Sequence, residues 1–450
     1  MTNNSSDFKC SYFLIETLGC RVNQYESDAL TAELIARGWE LAPEGHSPQL
    51  QILNTCTVTA EAARKVRQNL RRMRHNAPDA FLVAWGCHAE FDGVDLDCDL
   101  KLGNRAKGEV TDFILAQVDS FNAQAEGKAK RPSSGQEYLG VDTEDRFSEF
   151  GERPIPQDSR AYVKVQDGCD NHCTYCAIRL VRGVSRSRSL ESIVQEVEQL
   201  CRAGYREIQL SGIHLSAYGQ DLYPIVDLGD LVLALDEIEG LERIRLGSIE
   251  PEIVRVDVVE KFAKAKHLAP HLHLALQSGS ASVLKRMGRN YTKDEYAGAV
   301  RLLRERWEGL ELTTDLMVGF PGETREEHLE SMSFVSSIGF SDLHIFRYSP
   351  RPGTAATKYK HPISNTVKRE RAHEAETLRQ TLHRKALERQ IGRQDHIMLE
   401  GLNPAHGYTG TYLRCELEDE DQLKSDDIGQ MLMIRVTKID DAGLKAVTLW

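Results

Sequence analysis

AYVKVQDGCDNHCTYC, residues 161–176, joins a β-strand pattern directly to three closely spaced cysteines, Cys169, Cys173 and Cys176. Cysteine thiolates at such spacing hold zinc or iron–sulfur clusters. A structural site normally uses four protein ligands, and no fourth cysteine or well-spaced histidine lies nearby in the sequence. Three ligands leave one metal position open, as in catalytic sites. A structural zinc site with a remote fourth ligand is the alternative.

Strand and helix patterns alternate over residues 161–350 and predict six β/α units, an incomplete relative of the eight-unit barrel. The predicted strands are Tyr162–Gln166, Glu207–Leu210, Arg243–Ser248, His271–Gln277, Leu312–Val318 and Leu343–Tyr348. Buried parallel strands should be apolar on both faces, but polar residues alternate along several of these, as at His271 and His273. The pattern therefore predicts a wet, ligand-holding lumen, with rim or edge positions as the alternative.

Residues 11–120 show the same alternation and predict an open parallel α/β sheet. The predicted strands are Phe13–Thr17, Leu50–Asn54, Phe81–Ala84 and the alternating stretch Val94–Leu102, and the predicted helices are Gln24–Arg37 and Ala60–His75. Cys20, Cys56 and Cys87 each follow one of the first three strands. Because carboxyl ends of parallel strands meet at one edge, these cysteines predict a second three-thiolate site. Core packing is the alternative for any one of them, and it is the prediction for the other four cysteines, Cys10, Cys98, Cys201 and Cys415.

The rest of the chain completes a four-part organisation. Residues 121–160 are polar, contain Gly, Ser and Pro, and predict a linker or long surface loop. A long charged helix is predicted over Asn365–Gly392, and short strand patterns over 393–450 predict a small all-β barrel. The predicted segments are therefore 11–120, the linker at 121–160, 161–390 and 393–450.

Composition limits the class of protein. With 450 residues, 41% hydrophobic and 28% charged, the chain can bury real cores. The sequence has no apolar run long enough to span a membrane and no signal-peptide pattern, so we expect a cytoplasmic protein without membrane contact. Ten cysteines are too few for a disulfide scaffold. The net charge of −12 argues against indiscriminate nucleic-acid binding but allows a local basic patch.

Two basic stretches predict an RNA-binding surface, with a solvated helix face as the alternative. Both follow predicted cluster cysteines in the sequence. The candidate residues are Arg64, Lys65, Arg67, Arg71 and Arg72 in the helix after Cys56, and Arg182 after Cys176. The C-terminal segment 393–450 has 6 Lys/Arg against 11 Asp/Glu, net −5, so it cannot bind RNA by general charge.

The CxxxCxxC spacing after a first strand, followed by further β/α units, resembles the radical SAM superfamily over roughly 161–350. With three N-terminal cysteines added, nearly the whole chain resembles the methylthiotransferases, and the C-terminal barrel is similar to their TRAM domain. The matching motifs are TLGCRVNQYESDAL (17–30), LNTCTVT (53–59), GCDNHCTYC (168–176), LALQSGS (274–280), LKRMGRNYT (284–292), TDLMVGFPGET (314–324) and YSPRPGT (348–354). The GCRVNQYES version (19–27) resembles the members that act on N6-threonylcarbamoyladenosine at position 37 of tRNA.

The resemblance implies conversion of C2–H to C2–SCH3 on that adenine, using two [4Fe–4S] clusters and S-adenosylmethionine (SAM). It assigns an auxiliary cluster to Cys20, Cys56 and Cys87, and a radical-generating cluster to Cys169, Cys173 and Cys176. It identifies no catalytic side chain. It places Tyr175, Ser211, Gly212 and Gln277 near SAM. The implied partners are the tRNA anticodon loop, an external electron donor and a sulfur source.

Two alternatives remain open at the level of sequence. The same chemistry could act on isopentenyladenosine-37 of tRNA or on an aspartate of a ribosomal protein. A non-catalytic iron–sulfur protein belongs to another class, but an electron carrier would use four thiolates per cluster, whereas this chain offers three at each predicted site.

Overall fold

The computed structural model describes residues 11–57, 59–91, 94–104, 107–125, 136–138, 146–151, 159–419 and 423–449, so Cys10 lies outside the described residues. The chain divides into two compact units, one of residues 1–157 with 177–184 and one of residues 158–176 with 185–450. Among the helices in the described ranges, none combines the length and the apolar character needed to cross a membrane.

The first unit contains a six-stranded parallel sheet with strand order β2-β1-β3-β4-β5-β6. Its elements are β1 (Ser11–Thr17), α1 (Arg21–Ala36), β2 (Trp39–Leu41), β3 (Leu50–Thr55), α2 (Ala60–Asn76), β4 (Phe81–Gly86), β5 (Leu100–Leu102), α3 (Val110–Ala125), β6 (Gln136–Tyr138) and α4 (Ile178–Arg182). Helices α1 and α3 pack on one face around Trp85, and α2 packs on the other around Leu82. The predicted open α/β sheet is confirmed.

Two stretches of this unit differ from the sequence-based expectation. The alternating stretch Val94–Leu102 was expected to be one strand, but only Leu100–Leu102 pairs with the sheet. A tight turn, in which the amide of Cys98 donates to the carbonyl of Leu96 at 2.9 Å, interrupts the strand. Within the expected linker, α3 continues to Ala125 and β6 pairs with β5.

The second unit begins with alternating strands and helices. Its elements are β7 (Ala161–Lys164), β8 (Gln166–Asp167), β9 (Arg186–Ser187), α5 (Leu190–Arg202), β10 (Glu207–Ser211), α6 (Leu228–Asp236), β11 (Arg243–Leu246), α7 (Val256–Lys264), β12 (His271–His273), α8 (Ala281–Met287), α9 (Lys293–Arg306), β13 (Glu311–Val318), α10 (Arg325–Ile338), β14 (Asp342–Arg347) and α11 (Asn365–Glu388). The Ser189 hydroxyl caps α5, as its sequence predicts.

Six parallel strands form the predicted incomplete barrel. Strands β11, β10 and β7 form one sheet and β12, β13 and β14 another. Single parallel bridges, Ile244 to Leu268 and Ile249 to Leu274, join the two sheets, which gives the order β7-β10-β11-β12-β13-β14. One apolar core, which includes Val163, fills the space between the strands and their helices.

The chain ends in a closed five-stranded barrel of order β15-β16-β17-β19-β18, which confirms the predicted small all-β barrel. Its strands are β15 (Gln394–Leu402), β16 (Ala405–Tyr408), β17 (Arg414–Leu417), β18 (Met431–Asp440) and β19 (Gly443–Thr448). Cys415 is fully buried in its core.

The loop after β16 docks against charged residues of β10 and β11. Arg245 donates to the carbonyls of Thr409 at 2.8 Å and Gly410 at 3.2 Å, and its Nε lies 2.8 Å from Glu207. Both side chains are buried. His271, one of the polar strand positions expected to face a wet lumen, stacks on Tyr412 of the same loop, with ring centroids 5.1 Å apart. It therefore contacts the C-terminal barrel, a long-range contact that strand periodicity could not show.

Candidate functional site

The loop that carries Cys169, Cys173 and Cys176 follows β8 in the second unit. The Thr174 amide donates to the carbonyl of Met287 at 2.9 Å, and its hydroxyl donates to that of Arg286 at 2.9 Å. The Thr174 carbonyl in turn accepts from the Ala356 amide at 2.7 Å. The segment 284–292, which carries one of the matching motifs, therefore holds this loop in place, together with Ala356, which lies two residues after the motif 348–354.

Cationic side chains approach two of these thiols. Arg289 donates to Sγ of Cys173 at 3.3 Å and lies 2.8 Å from Glu250. Burial opposes the charge of His214, but hydrogen bonds to Cys169 and Glu250 raise its pKa to about 10. Burial raises the pKa of Cys173, and Arg289 counteracts this. Positive charge beside soft thiols suits an anionic, thiolate-bound iron cluster.

Three of the predicted SAM-binding residues lie on or next to this loop. Tyr175 belongs to it and contacts Phe320 edge to face, with ring centroids 6.4 Å apart. At the end of β10, Ser211 is buried, and a Cβ on Gly212 would lie 3.1 Å from Cβ of Gln166. The side-chain amide of Gln166 donates to the carbonyl of Gly168 at 2.8 Å. Ser211 and Gly212 therefore border the start of the cysteine loop.

Gln277, the fourth predicted SAM-binding residue, adopts a positive φ of 66°, and its side-chain amide donates to Oδ2 of Asp315 at 3.2 Å.

In the part of the chain that the structure describes, one group of three potential metal ligands has its ligand atoms within 4.8 Å of one another. It consists of His273, Asp315 and His344. The two imidazole rings stack at 5.0 Å. Burial opposes ionisation of Asp315, but both histidines hold its pKa below its usual range. The thiolates of a multi-iron cluster bind separate irons, so neither cysteine set needs such close spacing.

Cys20, Cys56 and Cys87 follow β1, β3 and β4 in the first unit, and these three strands are adjacent in its sheet. The amide of Cys87 donates to the carbonyl of Thr55 at 3.1 Å, and a Cβ on Gly19 would lie 3.0 Å from Sγ of Cys56. Cys20 is exposed, whereas Cys56 and Cys87 are buried.

Electrostatics link two of these cysteines to each other and to Arg182. Burial raises the pKa of Cys87, Arg182 lowers it, and the nearby Cys20 raises it further. The three thiols converge on one edge of the sheet, and they are soft donors that suit an iron–sulfur cluster.

Arg182, expected to bind RNA, is instead buried and is 1% exposed. Its Nε donates to Sγ of Cys87 at 3.1 Å, and it forms a buried ion pair with Glu26 at 2.9 Å. Arg182 therefore does not belong to an exposed basic surface. The pairing joins residues 95 positions apart, so local sequence gave no signal for it.

The other five RNA-binding candidates, Arg64, Lys65, Arg67, Arg71 and Arg72, are exposed on α2. Arg64 pairs with Glu61 at 2.5 Å, and Arg72 pairs with Glu16. A second basic region was missed by sequence reasoning because its residues belong to different segments. Arg286, Lys358, Lys360 and His361 line a surface cavity of about 470 Å³ in the second unit.

Comparisons with known proteins cover most of the chain. The Radical SAM superfamily matches residues 163–335, and the Uncharacterized protein family UPF0004 matches residues 12–101. The "Threonylcarbamoyladenosine tRNA methylthiotransferase MtaB" of Thermotoga maritima is 33% identical over 438 residues, 96% of this chain and 95% of that one. The protein of the same name from Bacillus subtilis is 32% identical over 437 residues, 94% of this chain and 93% of that one.

A relative with another name is similar to the same degree. The "tRNA-2-methylthio-N(6)-dimethylallyladenosine synthase" of Nitratidesulfovibrio vulgaris is 34% identical over 402 residues, 88% of each chain. Among solved structures, the radical S-adenosylmethionine methyltransferase TsrM from Kitasatospora setae matches with a TM-score of 0.50 at 16% identity, over 76% of this chain and 77% of that one. This last likeness concerns the fold alone.

Proposed function

Because the chain belongs to the radical SAM methylthiotransferase family, we propose that it converts N6-threonylcarbamoyladenosine at position 37 of tRNA into its 2-methylthio derivative. The observation that carries the proposal is that the chain has, in addition to the radical SAM loop of the second unit, a set of three strand-end cysteines in the first unit, Cys20, Cys56 and Cys87. One three-thiolate site would suffice to cleave SAM. A second three-thiolate site provides a place for the sulfur that the product acquires.

The C2–H bond of adenine has no useful acidity, so a general base cannot activate it. A [4Fe–4S] cluster with SAM supplies a 5′-deoxyadenosyl radical that can abstract such a hydrogen. In the proposal, Cys169, Cys173 and Cys176 hold that cluster. Arg289 and His214 place positive charge beside its thiolates, and Tyr175, Ser211 and Gly212 shape the adjacent SAM site. An external electron donor and a sulfur source complete the requirements.

RNA contact is assigned to exposed cations rather than to overall charge. Phosphate contacts supply much of the affinity for RNA, and a loop base can be turned out of its stack into a protein pocket. Three exposed cations of α2, Lys65, Arg67 and Arg71, are proposed to contact the anticodon arm. The cavity lined by Lys358 and Lys360 offers a second set of cations.

Dimethylallyladenosine at the same tRNA position is the second candidate substrate. The relative named for that nucleoside is 34% identical to this chain, which is as similar as the relatives named for threonylcarbamoyladenosine. Overall identity therefore does not separate the two substrates.

The test is nucleoside mass spectrometry of bulk tRNA from cells with and without the gene. We expect the 2-methylthio form of threonylcarbamoyladenosine to disappear without the gene and the unthiolated nucleoside to accumulate. Complementation with Cys56→Ala or Cys173→Ala should fail. Cys98→Ala, which changes a cysteine packed beside the first sheet, should restore the product and serves as the matched control. Loss of the dimethylallyl product instead would establish the second candidate. An unchanged tRNA profile would refute both.

A further inference from the structure

Arg182 and Glu26 form a buried charge pair directly beside one cysteine of the auxiliary set. We propose that Arg182 tunes the reduction equilibrium of the cluster held by Cys20, Cys56 and Cys87, with Glu26 as the opposing charge. This inference rests on the proposed function, because it requires an iron–sulfur cluster at those three cysteines.

The Arg182 guanidinium is held in one orientation. Its Nε donates to Sγ of Cys87 at 3.1 Å. Its Nη1 donates to one carboxylate oxygen of Glu26 at 2.9 Å and its Nη2 to the other at 3.1 Å, a bidentate arrangement. Nη2 also donates to Oδ1 of Asn23 at 2.7 Å. Bonds from all three nitrogens thus aim the Nε–H at the cysteine sulfur.

Burial makes these charges effective at short range. The Arg182 and Glu26 side chains are 0% and 1% exposed, so water screens them little. A guanidinium keeps its proton at any ordinary pH. When a cluster takes up one electron it becomes more negative, and a nearby cation with an N–H···S bond stabilises that reduced form. Arg182 should therefore favour reduction, and Glu26 should oppose it.

A purely structural ion pair would behave differently. Removing either partner of a buried pair leaves an uncompensated charge and destabilises the fold in both cases. A purely structural role gives no reason for the two substitutions to move the reduction equilibrium of the cluster in opposite directions. The sign of the change therefore separates the two roles.

The experiment isolates the auxiliary cluster in a Cys173→Ala background, reconstituted anaerobically and titrated with dithionite while the reduced cluster is followed by electron paramagnetic resonance. Arg182→Gln should disfavour reduction by about tenfold, which is 59 mV for one electron. Glu26→Gln should favour reduction by a similar factor. Arg182→Lys keeps the positive charge but loses the bidentate guanidinium geometry. Its reduction equilibrium should therefore lie between those of Arg182→Gln and the unsubstituted protein. Arg188→Gln and Glu196→Gln alter a buried ion pair of the second unit and are the matched controls.

Shifts of one sign for both partners, or shifts no larger than those of the controls, would overturn the inference while leaving the proposed function intact. Failure of the Cys173→Ala protein to bind any iron–sulfur cluster would instead refute the auxiliary site and the proposed function with it. If Arg182→Gln does not fold, the comparison of Arg182→Lys with Glu26→Gln decides the matter, because opposite signs are still required.

Discussion

Gly19 shows how a single residue shapes the first cysteine set. It adopts a φ of +112°, a conformation that costs a residue with a side chain about 1–3 kcal/mol. A Cβ at this position would lie 2.8 Å from Cβ of Cys56. A side chain at position 19 would collide with Cys56, so the loop before Cys20 can pass this close to Cys56 only with glycine there.

Replacing Gly19 with Ala should therefore displace Cys20 or Cys56 and lower the iron bound by the auxiliary set. Iron per chain, measured in the Cys173→Ala background, checks this. Gly38→Ala is the matched control, because Gly38 has a φ of +85° but nothing within 4 Å of an added Cβ. It should carry a similar backbone penalty and keep its iron. Equal iron contents in the two variants would contradict the steric argument.

The cysteines were predictable, whereas the residues that surround them were not. Cys56 and Cys87 follow apolar strands, and parallel strands align their carboxyl ends, so sequence alone placed them together. Arg289 contacts Cys173 across 116 positions of sequence. Arg182 contacts Cys87 across 95. No periodicity or local motif predicts such a pairing, since it arises only when distant segments pack.

Helix α2 illustrates a signal that local sequence does contain. The Thr59 hydroxyl accepts from the amide of Ala62 at 3.1 Å and caps the helix, and Val66 and Leu70 are fully buried against the sheet. This spacing leaves the basic residues on the opposite, exposed face. In Val94–Leu102, by contrast, regular alternation did not produce one strand, because apolar side chains can pack on the sheet from a turning backbone as well.

The exposed face of α2 gives a prediction at the scale of the element. Changing Lys65, Arg67 and Arg71 together to Gln should weaken binding of an anticodon stem-loop RNA. If all three contact phosphates, the slope of log affinity against log salt should become shallower by about 2. Binding measured over a salt series checks this. Arg202→Gln, an exposed arginine of α5, is the control and should leave the slope unchanged. An unchanged slope in the triple variant would exclude α2 from the RNA surface.

The loop after β16 gives a second prediction, because Tyr412 stacks between two rings. It lies 5.1 Å from His271 of β12 and 5.1 Å from Tyr408, with the Arg245 guanidinium 4.9 Å from its centroid. Stacking and cation–π contacts together are worth about 2 kcal/mol. Tyr412→Ala should therefore lower the melting temperature of the second unit by roughly 4–8 °C. Tyr223→Ala, at a fully exposed ring, should leave it unchanged. Equal melting temperatures would show that the loop does not stabilise the unit.

At the scale of the whole molecule, each cysteine set lies within its own compact unit. Cys20, Cys56 and Cys87 lie in residues 1–157, and Cys169, Cys173 and Cys176 in residues 158–176. Each set is built from loops held by hydrogen bonds within its own unit. Loading of one set therefore has no structural requirement for loading of the other.

Iron content should consequently fall in two independent steps. Two [4Fe–4S] clusters correspond to about eight irons per chain. Cys173→Ala and Cys56→Ala should each retain about four irons after anaerobic reconstitution, and the double variant close to none. SAM cleavage should survive Cys56→Ala and be lost in Cys173→Ala. Iron analysis and 5′-deoxyadenosine assay of the same preparations test both statements. A Cys56→Ala protein that lost all its iron would show that the two sets load together, because a single substitution would then have emptied a site in the other unit.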